Sequence, residues 1–388
     1  MKSKSKTSTI TACAAAGLFV STSSLQAANR TYDGAALDDN WATAGNWGGT
    51  KPGAGDNAII NGITPGLRTV NVDTTESISR LWTGTNTTSA NALEINILSG
   101  GSLSTSVASQ LSQRSGSVVM NLNGGSYSAA ASLEVGTAGR LNVVNAASTA
   151  TFQVASGDAA FIKGNFNQSG IVNISAGKIT INDAEVGDTG TIRIWKEGVS
   201  NEGTVNLTEN GTLEVTGLGA NTDVVKLVGT YNLSDNAILS MTGGQVQGDS
   251  TRLNMTINGS NITVGTSFLN LAGLAGGTFN FNFDEFGVSA FESQVWTHLS
   301  GVTINVDGSN YTGGAGVFDL FSMSNLLSEA NLANIELTGF SGVEGVDYYY
   351  EQSSVDNYSR IVIVPEPSAL ALLGMAGFGI FLRRRRNA

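Results

Sequence analysis

One triplet recurs along this chain: a large apolar residue, an asparagine, and a second large apolar residue. It appears as Val70-Asn71-Val72, Ile95-Asn96-Ile97, Met120-Asn121-Leu122, Leu141-Asn142-Val143 and Val172-Asn173-Ile174. It continues as Val205-Asn206-Leu207, Tyr231-Asn232-Leu233, Leu253-Asn254-Met255, Phe279-Asn280-Phe281 and Ile304-Asn305-Val306. The Asn-to-Asn steps are 25, 25, 21, 31, 33, 26, 22, 26 and 25, with a mean of 26. A period in this range marks a repeat architecture. Alternation places the apolar pair on one face of a strand and the asparagine on the other.

Residues 66 to 307 hold no proline and show no long helical periodicity. Gly- and Asn-rich stretches such as LSGGSLS, LNGGSYS, TENGTLE and TGGQVQG lie between triplets and read as turns. About 26 residues suffice for three short strands and three turns, the make-up of one parallel β-helix coil. The predicted fold is therefore all-β: a parallel β-helix or solenoid, with an N-terminal signal helix and a short C-terminal transmembrane helix. Stacked coils bury the apolar pairs in a column, and the asparagines form an exposed ladder, as stacked amides do in cross-β arrays. A β-sandwich or several small β-domains is the rival. Asn and Gly are abundant enough for chance triplets, and Leu269-Asn270-Leu271 and Phe281-Asn282-Phe283 fall out of register.

A solenoid needs covered ends. Trp41 and Trp47 supply broad apolar surfaces at the start, Pro52 with Gly53 and Gly55 makes a tight turn, and Asp56 precedes the first expected strand. Past residue 312 the texture changes. GAGVFDLFSM reads as strand and turn, and NLLSEANLANIELTGF as a short helix or loop followed by a strand. Val346–Gln352 and Tyr358–Val364 read as a hairpin. The expected divisions are a signal peptide over 1–27, an N-terminal cap over 28–65, solenoid repeats over 66–311, a C-terminal β cap over 312–364 and a sorting tail over 365–388.

Both termini speak of export. Lys2, Lys4 and Lys6 precede an apolar run from Ala12 to Val20, and Leu25-Gln26-Ala27 offers a cleavage site for signal peptidase after Ala27, with Ala28 as the alternative. Ile10-Thr11-Ala12-Cys13 has the form of a lipoprotein signal, but its apolar stretch follows the cysteine instead of preceding it. Removing the signal removes the one cysteine, leaving no disulfide, thiolate nucleophile or cysteine metal site. At the other end, Ala369–Leu382 is an apolar run of 14 residues. As a helix it would cover roughly 21 Å of a hydrocarbon core about 30 Å thick. Arg383, Arg384, Arg385 and Arg386 follow as a stop-transfer cluster held on the cytoplasmic side.

Of 20 basic residues seven lie in these two ends, and of 31 acidic residues one does, so the body carries a charge near −17. That excludes nucleic acid and anionic membrane surfaces as natural partners.

Pro365, Glu366, Pro367 and Ser368 hold the backbone extended ahead of the apolar run. On physics alone the tail reads either as a plain anchor or as a processed signal. The order Val-Pro-Glu-Pro-Ser, apolar run, Arg cluster resembles the PEP-CTERM sorting signal of Gram-negative bacteria. That resemblance implies an exosortase-type membrane transpeptidase as partner, with recognition at Pro365–Ser368. It also implies transient tethering in the inner membrane, then the outer envelope, cell surface or extracellular matrix. The Trp41, Trp47, Pro52, Asp56 order resembles the opening of autotransporter-associated β-strand repeat proteins, which are surface solenoids.

Catalytic signals are sparse. Asp38-Asp39 and Asp284-Glu285 are the carboxylate pairs of note, the lone His298 follows Trp296 by two residues, and most acid–base constellations lack a base. Gly313–Asp319 sits one residue out from a calcium-repeat pattern and occurs once, so it reads as a turn. Sequons such as Asn206-Leu207-Thr208 and Asn261-Ile262-Thr263 follow from composition. No catalytic residue, metal site or cofactor is assigned. The expected function is an exported, non-enzymatic surface or matrix structural protein. The alternatives are a carbohydrate-binding solenoid, with exopolysaccharide as partner, and a polysaccharide-degrading enzyme using Asp284 or Glu285.

Overall fold

The computed structural model describes residues 27–62, 66–84, 91–112, 117–136, 139–154, 159–163, 170–183, 191–194, 203–216, 224–270, 277–297, 302–322, 334–353 and 358–364. Their strands form one continuous hydrogen-bonded system, parallel from coil to coil. Each coil contributes to three walls. The first wall carries the asparagine triplets on Gly66–Val72, Asn91–Leu98, Ser117–Asn123, Gly139–Val143, Ile171–Ser175 and Thr204–Thr208, each paired in parallel with the next. It continues through the ends of Val224–Leu233 and Ile238–Asn258 to Thr278–Asn282, Thr303–Asp307 and Ile335–Thr338. Thr75–Ile78, Ser102–Thr105 and Ser126–Ala129 open the second wall. Asn29–Tyr32, Asn57–Ile60 and Arg80–Thr83 open the third. In-register parallel pairing excludes a sandwich, whose sheets are antiparallel.

The apolar halves of the triplets are the core. Val70, Val72, Ile95, Ile97, Met120, Leu122, Leu141 and Val143 are fully buried, and the pattern persists to Ile304 and Val306. Each large side chain so buried contributes about 1.5–3 kcal/mol relative to exposure. Corners between walls are tight. A Cβ at Gly101 would overlap the carbonyl oxygen of Val72, and one at Gly211 that of Ile174, so only glycine lets the chain turn against the coil beneath.

Both ends are closed by aromatic rings. Trp41 and Trp47 meet edge-on with centroids 4.8 Å apart, Tyr32 meets Trp47 at 5.0 Å, and Trp47 Nε1 donates to Trp41 O at 2.7 Å. Beside this cap, Lys51 Nζ sits 2.8 Å from the buried carboxylate of Glu76. At the far end Phe283 packs edge-on against Tyr311, Phe318 and Phe340. Tyr348–Ser353 and Tyr358–Ile363 form the expected hairpin, and Tyr358–Ile363 also pairs antiparallel with Gly316–Ser322.

Five local expectations are corrected. The first strand is Asn29–Tyr32, ahead of Asp56, because its backbone stacks on Asn57–Ile60. Leu253-Asn254-Met255 is not the repeat unit: Tyr231 aligns with Met255 and Asn232 with Thr256, two residues later than the triplet. TGGQVQG is not a turn between strands. It lies inside the extended stretch Ile238–Asn258, whose pairing with Thr263–Asn270 shifts register between Met241 and Gln245. Asp319, read within a turn, stands in strand Gly316–Ser322 opposite Arg360. Ile335–Thr338, placed in the C-terminal cap, extends the first wall.

The one helix among the described residues is the 3₁₀ turn Ala44–Trp47. Among those residues no helix is long and apolar enough to cross a membrane. Residues 1–26 of the expected signal peptide and the tail 365–388 lie outside the described residues, as does His298.

Candidate functional site

Three features outside the core carry functional groups: the asparagine ladder, a cleft at its C-terminal half, and the root of the tail.

The ladder is polarised and unbroken from Asn71 to Asn232. Asn96 Nδ2 donates to Asn71 Oδ1 at 3.2 Å, Asn121 to Asn96 at 2.9 Å and Asn142 to Asn121 at 2.7 Å. Asn173 donates to Asn142, Asn206 to Asn173 and Asn232 to Asn206, each at 2.8 Å. Every amide donates toward the N-terminus, so the hydrogen bonds polarise one another in one direction. Thr256 occupies the next rung, and Asn280 donates to its Oγ1 at 3.2 Å and to Asn254 Oδ1 at 2.9 Å. Asn305 donates to Asn280 at 2.9 Å, but its own buried Oδ1 meets no donor, because the following rung is Glu336.

Two flanking columns run beside the ladder. From residue 204 onward the preceding column is Thr204, Thr230, Asn254, Thr278 and Thr303. On the other side Asn258, Asn282 and Asp307 stand on successive rungs, and Asn282 Nδ2 donates to Asn258 Oδ1 at 2.7 Å. The equivalent preceding positions in earlier coils include Glu94, Val119, Arg140 and Ile171, so the array of uncharged hydrogen-bonding groups belongs to the C-terminal half. The triplet spacing alone missed it. Reading the residue two places before Asn206, Asn232, Asn280 and Asn305 finds its four threonines, but Asn254 enters the column only through the register of Thr256.

Beside this array lies an open cleft of about 730 Å³, which also contains the predicted pair Asp284 and Glu285. The pair does not act as a unit. Asp284 Oδ2 accepts from Ser260 N at 2.8 Å and Ser260 Oγ at 2.9 Å, and Oδ1 accepts from Phe286 N at 2.7 Å and Gly287 N at 2.9 Å. Burial pushes its carboxyl up, but these donors together outweigh it and hold the group below the usual carboxylate range. Glu285 is exposed. Phe286, next in sequence, is 70 % exposed at the cleft. No Lys, Arg or His is among the described residues lining the cleft.

Asp38 is also engaged structurally. It accepts from Thr43 Oγ1 and Asn46 Nδ2, both at 2.6 Å, and from Asn40 N at 3.1 Å, and the Thr43 hydroxyl leads the donors that lower its pKa. Asp39 supplies only its backbone carbonyl, which accepts from Asn71 N at 2.7 Å. Among the described residues no three His, Cys, Asp or Glu side chains are grouped so as to hold a metal ion.

At the start of the body, Ala27 is exposed and Ala28 N donates to Asp56 Oδ1 at 3.2 Å. Cleavage at the expected site after Ala27 would turn that contact into an amine–carboxylate pair. At the other end, Val364 N donates to Asp347 O at 2.7 Å, immediately after strand Tyr358–Ile363. Pro365, Glu366, Pro367, Ser368 and Arg383–Arg386 lie beyond the described residues.

Residues 364–386 match the model of the PEP-CTERM protein-sorting motif. This makes the chain an exported protein with a C-terminal membrane-anchoring sorting signal directed to exosortase and the cell surface. No curated protein matches the chain, and no solved structure matches it.

Proposed function

We propose that this chain is a structural protein of the bacterial cell surface or extracellular matrix, built as a rigid spacer and delivered by its tail. One observation carries the reading. The described residues of the body form one parallel solenoid closed by an antiparallel hairpin, and the hairpin's last strand ends at Ile363, one residue before the sorting motif begins. The folded column therefore hands directly to the sorting signal. Continuous backbone pairing supplies stability without disulfides, as a chain whose one cysteine lies in its signal segment requires. The acidic body favours mutual repulsion and solubility outside the cell.

In this reading signal peptidase removes residues 1–27, and Arg383–Arg386 stop transfer at the inner membrane. An exosortase-type transpeptidase then acts at Pro365–Ser368. The protein is not an enzyme. Asp284 is spent on four donors and no described Lys, Arg or His lines its cleft, which supports this view.

Intact mass and fractionation from the native host test the proposal, beside a Pro365→Ala/Pro367→Ala variant. The expected result is a mature form lacking both ends on the outer surface or in the matrix, with the variant held uncut in the inner membrane. A mature form that keeps Arg383–Arg386 and stays in the inner membrane overturns it.

A further inference from the structure

The cleft beside the ladder is unlike the rest of the surface in three respects. First, it is built from repeats. Ser234 follows the strand residue aligned with Ile257, so it precedes Asn258, Asn282 and Asp307 on successive rungs. Parallel strands lie about 4.8 Å apart, so four rungs span roughly 14 Å along the solenoid axis. Equivalent polar groups thus recur along a line, which suits successive units of a polymer.

Second, its chemistry is that of hydroxyl recognition. An amide offers two N–H donors and two acceptor lone pairs, and a carboxylate accepts only. In Asn282 one N–H is spent on Asn258 Oδ1, which leaves the second for the outward side. The lining adds the carboxylates of Asp235 and Glu285 and the amides of Asn261 and Asn310. With four carboxylates and no described cation on its walls, the cleft repels an anionic polymer.

Third, Phe286 stands 70 % exposed at the edge of this otherwise polar site. An aromatic ring is costly to leave in water and offers a flat apolar face to the C–H side of a sugar ring.

We propose that the cleft binds a linear, uncharged polysaccharide lying along the solenoid axis, with Phe286 stacked on one sugar. The amides and carboxylates of the adjoining rungs then receive its hydroxyls. A divalent cation fits less well. Both oxygens of Asp284 already accept from protein donors, Asp307 Oδ1 accepts from Ser309 N at 2.9 Å, and no three ligating side chains converge among the described residues. This assignment does not depend on the sorting route. Its failure would leave the structural reading standing.

The test is affinity electrophoresis of the full chain through gels containing a soluble mixed-linkage β-glucan, dextran or polygalacturonate. Calcium titration of the same protein runs in parallel. At least one neutral polymer is expected to retard the protein and polygalacturonate is not. Phe286→Ala should weaken retardation about fivefold to tenfold, the weight of one exposed aromatic contact, while Leu67→Ala, another exposed apolar residue far from the cleft, should leave it unchanged. Phe286 buries little, so its loss leaves the fold intact, and unchanged thermal melting would verify that. The proposal is overturned if neither neutral polymer retards the protein, or if Phe286→Ala migrates like the parent. Saturable calcium binding abolished by Glu285→Gln, without polymer binding, also overturns it.

Discussion

Asn173 Nδ2 lies 2.8 Å from Asn142 Oδ1, although 31 positions separate them in the chain. The next pair, Asn206 and Asn173, has the same distance across 33 positions. Coils of 21 residues give a contact of 2.7 Å. Ladder geometry is thus set by the spacing of stacked strands and is indifferent to how much chain runs between them. The ladder wall keeps its register through both long coils.

Asn206 is the rung on which this is best tested. Asn206→Ala removes the donor to Asn173 and the acceptor of Asn232 together. A loss of about 1–3 kcal/mol in denaturant unfolding is expected, the weight of buried or half-buried polar groups left unpaired. Asn206→Thr should lose less, since Thr256 already serves as a rung in the same wall. Equal losses for both variants would show that the amide chain contributes no specific stabilisation.

The ladder also stops for an identifiable reason. The rung after Asn305 is Glu336, and a carboxylate accepts hydrogen bonds without donating them, so Asn305 Oδ1 is left unpaired. Glu336→Asn adds a donor at the end of a polarised chain and should stabilise the protein by about 1 kcal/mol. A raised midpoint at unchanged denaturant sensitivity would verify it, and a lowered midpoint would contradict the end-of-ladder reading.

The corner glycines make a second kind of prediction. Gly211→Ala brings a Cβ into the carbonyl oxygen of Ile174 and should cost more than about 1 kcal/mol. Gly265 has open space where its Cβ would stand, so Gly265→Ala should be nearly neutral. Thermal melting of the pair side by side decides whether close coil stacking imposes glycine.

Asp56 links the N-terminus to acid stability. Gly53 N–H leads the donors that hold its carboxyl below the usual range, and Ala28 N and Arg30 add to them against the burial that pushes it up. A depressed folded pKa stabilises above the unfolded value near 4, and that contribution disappears as pH falls through the folded value. Asp56→Asn should therefore lower the melting temperature at pH 7 and narrow the gap between pH 7 and pH 3. N-terminal sequencing that finds Ala28 first would place an α-amine on this carboxylate.

Tyr32 carries the opposite sign. Burial, then the carboxylates of Asp39 and Asp38, push its phenol up to about 12. A raised folded pKa gives stability that is intact below the unfolded value near 10 and lost as pH rises toward the folded one. The Tyr32 hydroxyl is buried and has no partner. Tyr32→Phe should change stability at pH 7 by less than about 1 kcal/mol and reduce the loss between pH 10 and 12. Melting curves across that interval would reveal either outcome.

How much of this was legible beforehand depends on the range over which each feature is encoded. The apolar–Asn–apolar alternation is local, and it alone determined the strands, their inward faces and the repeat, because a strand's two faces follow from a two-residue period. The Pro-Glu-Pro-Ser, apolar and Arg segments likewise specified export and sorting, since membrane machinery reads a linear string. Register at Thr256 was not legible. Leu253-Asn254-Met255 satisfies the local pattern as well as Met255-Thr256-Ile257 does, and only stacking Met255 on Tyr231 chooses between them. The cleft was hidden for the same reason. Ser234, Asn258, Asn282 and Asp307 lie some two dozen residues apart, and nothing near Asp284 in the sequence announces that Ser260, from the coil beneath, donates to it. Sequence determined what each strand could bury; which polar groups share a surface was decided only by coil-to-coil register, a sum of packing over the whole column.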